Sequence, residues 1–69
     1  MNELVEEDKE RVFKTMEEIR KTLRYLTKFV EQGDLFGTCV GCGVLQSLTS
    51  SLHEFVSSKW TQINKEVIG

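Results

Sequence analysis

The chain has 69 residues, with 9 Lys and Arg against 11 Asp and Glu, for a net charge of −2. That length holds one domain and excludes a Rossmann fold, a TIM barrel and most enzyme scaffolds built round a deep pocket. With 39% hydrophobic residues the chain is too apolar for a disordered tail, and its acidic balance argues against a dedicated nucleic-acid binder.

The first ten residues are acidic, so no basic-then-apolar secretory leader is read there. From residue 5 onward the apolar side chains fall in a heptad. Met16, Leu23 and Val30 take position a; Val5, Val12, Ile19 and Leu26 take position d; Lys9 is the one break. Most intervening residues are Glu, Lys and Arg, which are good helix formers. The spacing predicts a helix over 3–32, roughly 45 Å long at 1.5 Å per residue. Asn2 is its expected N-cap. Glu3, Glu6, Glu7 and Asp8 near its start and Arg20, Lys21, Arg24 and Lys28 near its end suit the helix dipole. Gly33 is expected to stop it in a left-handed cap.

Four of the five glycines lie between Gly33 and Gly43, so residues 33–43 are expected to form a glycine and cysteine loop. Within it, Cys39 and Cys42 have the Cys-x-x-Cys-Gly spacing of a metal knuckle, in which two thiolates reach one tetrahedral Zn²⁺. A closed site needs four ligands. His53, the sole histidine, stands roughly 16 Å along the next helix and is too far to help within one chain. A zinc site at Cys39 and Cys42 therefore requires the same pair from a second chain. In arrangement, a Cys-x-x-Cys at the apex of a helical hairpin resembles the zinc hook of long coiled-coil ATPases, over five residues and without the hook's internal proline. The competing readings are that the two cysteines are small apolar residues buried where the helices cross, with Gly37, Gly41 and Gly43 permitting close approach, or that they carry redox chemistry.

A second helix is expected over 44–68, with a start as early as Thr38 as the alternative. Leu45, Leu48, Leu52, Val56, Ile63 and Val67 share one face, in steps nearer an eleven-residue than a seven-residue repeat, with Phe55 and Trp60 on the flanks and Gly69 at the end. No apolar run is expected to reach the roughly 20 residues of a bilayer span, so no membrane partner is read.

Two helices on a short connection fold back as an antiparallel hairpin, so the fold class is all-α. A lone hairpin leaves half of each helix face wet. Phe13, Tyr25, Phe29 and Trp60 widen the apolar stripe beyond a two-stranded seam, which suits a homodimeric four-helix bundle. The expected dimer or partner interface is Val12, Met16, Ile19, Leu23, Leu26, Val30, Leu45, Leu48, Leu52, Val56 and Ile63. Phe36 is expected to close one end of that core.

Other chemistry is weakly signalled. His53 and Glu54 are adjacent on a helix and point apart, and no Glu-x-x-His motif exists. No catalytic residue and no enzyme activity are expected, and no cofactor beyond the zinc candidate. Arg20, Arg24 and Lys28 recur every four residues, with Lys21 beside them. They form a possible anion contact whose competing role is helical salt bridging, Glu17 standing four before Lys21. The expected function is a small cytoplasmic, non-enzymatic protein–protein interaction module, an adaptor, regulator or inhibitor acting through helix faces. Two alternatives stand beside it: a zinc-linked or redox-sensitive oligomer, and more weakly a nucleic-acid accessory protein.

Overall fold

The computed structural model describes residues 3–68, with side chains through residue 62. It is an all-α hairpin of two helices, α1 (Glu6–Glu31) and α2 (Leu35–Ile68), and the described residues contain no strand. Its extents of 53 × 20 × 11 Å describe a slab one helix thick.

Helix α1 begins at Val5, whose extended backbone serves as the N-cap without a side-chain hydrogen bond. The expected cap, Asn2, lies outside the described residues. Glu6, Glu7 and Asp8 occupy the first turn and Lys28 the last, as the dipole favours. Gly33 stands at φ +68 and ends α1 in the left-handed conformation expected of it. Its N–H donates to the Val30 carbonyl (3.0 Å) and the Asp34 N–H donates to the Phe29 carbonyl (2.9 Å), the paired bonds of a Schellman cap.

The same Asp34 starts α2. Its Oδ1 accepts from the Gly37 N–H at 2.9 Å, and its carbonyl accepts from the Thr38 N–H at 3.0 Å. This corrects the expected loop over 33–43, because the turn is complete by Asp34. Cys39, Gly41, Cys42 and Gly43 are helical. An acidic N-cap one residue after the glycine supplies α2 with its missing acceptor at once, so the later glycines are not needed to turn the chain. Two of them instead serve packing. A Cβ on Gly37 would stand 2.5 Å from the Phe29 ring, and one on Gly41 would stand 3.0 Å from Leu26 Cδ1. Nothing lies within 4 Å of where a Gly43 Cβ would be, so this third glycine has no packing role within the hairpin.

Phe29 against Gly37, Leu26 against Gly41, Arg11 over the Phe55 ring and Asp8 paired with Lys59 fix an antiparallel register along the whole hairpin. The seam is half-buried except at Gly41, which is buried. On α1 it is lined by Val12, Thr15, Met16, Ile19, Thr22, Leu26 and Phe29. On α2 it runs Gly41, Leu45, Leu48, Leu52, Phe55 and Lys59, in strict steps of four and three. That corrects the eleven-residue drift read from Val56. Phe55 takes the inward position because its larger ring fills the gap beside Arg11, and the seam remains a heptad. Thr15 and Thr22 are tolerated there because each hydroxyl donates to the carbonyl four residues earlier, Arg11 at 3.2 Å and Glu18 at 2.9 Å.

Leu35–Gln62, 28 residues of α2, is long and apolar enough to cross a membrane by length and composition. The expectation that no stretch approaches that length is thereby corrected. No charged residue occurs between Leu35 and His53, but glycine, serine and threonine interrupt the apolar side chains and hide the stretch from a search for an unbroken run.

Candidate functional site: an open apolar face

No hydrophobic side chain is fully buried among the described residues; the buried positions are Gly37 and Gly41. The hairpin closes on itself through one narrow seam and leaves its other apolar positions in water.

The expected interface residues divide accordingly. Val12, Met16, Ile19, Leu26, Leu45, Leu48 and Leu52 are half-buried and line the seam within one chain. Leu23, Val30 and Val56 are not in the seam and are 45%, 58% and 37% exposed. The side chain of Ile63 lies outside the described residues. Heptad counting placed Leu23 and Val30 inward with Leu26, but Phe29 and Thr22 occupy the inward position on their turns. The close approach at Gly37 explains the exchange, since only the absent Cβ leaves room for the Phe29 ring. Phe29 and Phe55 are the seam residues that sequence reasoning put on the flanks. Their signal was present as a glycine four before Gly41 and as a basic residue four before Thr15.

The contacts across the seam fix which side of the slab each exposed residue occupies. Arg11 and Phe29 meet Phe55 and Gly37, so these flanks of α1 and α2 form one face. At about 100° per residue, Leu23 and Val30 lie on the other flank of α1, and Val56 and Trp60 lie on the other flank of α2. Those four therefore share the opposite face, with Phe13 at its margin. The first face carries Val40 and Val44 of α2 alongside Glu18 of α1 and is mixed in character.

At the hairpin tip Leu35 and Phe36 are 83% and 79% exposed, so the hairpin alone covers neither. Cys39 and Cys42 are free and exposed, one turn apart on the outer surface of α2. This corrects the reading in which they are buried at the crossing, and they are not at the apex either. The described residues hold no cluster of three or more His, Cys, Asp and Glu able to grip a metal, and His53 is exposed.

Two of the four cations of the basic stripe are engaged in ion pairs. Arg20 pairs with Glu17 at 3.0 Å and Lys21 with Glu18 at 3.9 Å, in place of the four-residue Glu17–Lys21 pairing read from the sequence. Lys9 pairs with Glu6 at 3.2 Å. Lys21, Arg24, Tyr25 and Lys28 line a shallow groove on the outer side of α1.

Compared with family models, with curated proteins and with solved structures, the chain matches none.

Proposed function

We propose that the hairpin is a non-enzymatic protein–protein interaction module that works as a homodimeric four-helix bundle. One observation carries this reading: a chain with no fully buried apolar side chain among its described residues keeps Leu23, Val30, Val56 and Trp60 in water. Hydrophobic burial is the main favourable term in folding, and each such side chain contributes about 1.5–3 kcal/mol when covered. A second hairpin supplies that cover, and the charged outer side of α1 is then left to choose further partners. The packing of α1 along α2 favours a protein partner over lipid. More than half of α1 is charged, and it lies beside the apolar part of α2. Insertion of Leu35–Gln62 into a bilayer requires the hairpin to open first. A cytoplasmic setting, with both thiols reduced, belongs to the same proposal.

Sedimentation equilibrium and thermal melts over a hundredfold range of concentration test it. The expected result is a species of twice the chain mass whose melting temperature falls on dilution. A single-chain species with a sharp melt unchanged by dilution overturns it.

A second reading rests on the thiols. Cys39 and Cys42 are exposed and one helical turn apart, so both sulfurs can reach one soft metal ion. Two copies then complete a tetrahedral zinc site with four thiolates. Metal analysis of reduced protein, against a Cys39→Ser, Cys42→Ser control, decides this: about one zinc per two chains supports the site, and zinc no higher than in the control removes it. For nucleic acid, the support is limited to Arg24 and Lys28 beside two cations already engaged with Glu17 and Glu18. A shift assay at low salt showing no binding ends that reading.

A further inference from the structure

Each chain leaves more surface in water than a folded protein of its mass. Its accessible area is 5817 Å², against about 4,450 Å² for a compact protein of 8.0 kDa. Bringing two copies to the compactness of one protein of twice the mass removes about 4,200 Å² in total on the same scaling. Obligate homodimers bury about 2,000–5,000 Å², so a second copy is an occupant of the required size.

Two faces of the slab compete to receive it. The face with Val40 and Val44 on α2 carries Glu18 and Arg11 on its α1 side, so closing it desolvates charge. The face with Leu23 and Val30 on α1 and Val56 and Trp60 on α2 carries Thr49 and one charged side chain of the same heptad row, Lys9 at its open end, where it is already paired with Glu6.

Charge then sets the direction of the second copy. The first half of α1 holds Glu6, Glu7, Asp8, Glu10, Glu17 and Glu18 against Lys9, Arg11 and Lys14 and is acidic on balance; its second half holds Arg20, Lys21, Arg24 and Lys28 against Glu31 and is basic on balance. Stacking two slabs with their tips at opposite ends lays α1 on its copy in reverse direction, so acidic turns meet basic turns. Stacking with tips together lays α1 on α2 of the copy, which has no charged residue from Leu35 to His53 to answer it. We propose that two copies stack through the Leu23, Val30, Val56 and Trp60 face with their tips at opposite ends, the acidic half of each α1 lying along the basic half of the other. The proposal rests on the homodimer reading and adds its face and its polarity.

The test uses full-length protein. By sedimentation, Leu23→Glu is expected to raise the dimer Kd about tenfold or more, because it drives a charge into the closed face. Val40→Glu, on the opposite face, is expected to leave the Kd within about threefold, inside the usual range for surface changes. The reverse pattern overturns the choice of face. Because Leu23→Glu could unfold the chain outright, polarity is read independently from a spin label on Cys39 in the Cys42→Ser variant. Tips at opposite ends put the two labels about 30 Å apart by the helical rise. A separation under about 20 Å means the tips lie together and overturns the polarity. A monomeric wild type fails the homodimer reading itself, which neither of the other outcomes does.

Discussion

Gly37 and Gly43 are the same letter with opposite roles, and the difference is measurable. At Gly37 a Cβ meets the Phe29 ring at 2.5 Å, so Gly37→Ala forces the ring from its place and is expected to cost about 1–3 kcal/mol. At Gly43 the added methyl meets nothing, so Gly43→Ala is expected to gain about 0.5–1 kcal/mol from helix propensity. Thermal or urea melts of the pair check both signs. Asp34→Ala removes the acceptor for the Gly37 N–H and is expected to lower stability by about 1 kcal/mol, with Asp34→Asn close to wild type. The cap at Gly33 was legible in the sequence because a helix ending on glycine has few other reasons to place one there. The role of Gly37 was not, since a glycine that makes room and a glycine that makes a turn read alike until the ring opposite is known.

The helices themselves were legible because good helix formers and a repeating apolar stripe agree along most of the chain. Which positions face inward was legible only in part. Of the apolar stripe, Val12, Met16, Ile19, Leu26, Leu45, Leu48 and Leu52 line the seam within the chain, while Leu23, Val30 and Val56 lie outside it and Phe29 and Phe55 inside. A heptad constrains the stripe to about one residue in width, and the wider ring wins where the partner helix recedes. Phe55, roofed by the Arg11 guanidinium at 4.4 Å, is expected to be the most sensitive position of the open end of the hairpin. Phe55→Ala should cost about 2 kcal/mol, through lost packing and the lost cation contact together. Asp8→Asn, which removes a partly exposed 3.6 Å pairing with Lys59, should cost under about 1 kcal/mol. Equilibrium denaturation of both variants ranks them; a larger loss for Asp8→Asn than for Phe55→Ala reverses the account of what holds that end together.

For the molecule as a whole, Trp60 is a built-in reporter, being the sole tryptophan and about half exposed on the hairpin alone. If the slab is covered as proposed, its emission is blue-shifted at high concentration and moves to the red on dilution, in step with sedimentation. The connection between the helices has its own consequence. Asp34 closes one helix and opens the next, which leaves the hairpin a three-residue hinge with no slack, held by one left-handed glycine. An alanine at position 33 pays the left-handed penalty of about 1–2 kcal/mol only while the chain is folded back. Straightening the hinge into continuous helix relieves that strain, and two straightened chains can then trade arms, each seam being rebuilt between molecules in the register it has within one. Gly33→Ala is therefore expected to yield an elongated, exchanged dimer that persists for hours after dilution on size-exclusion chromatography. On that outcome, a single left-handed glycine is what keeps both arms within one molecule.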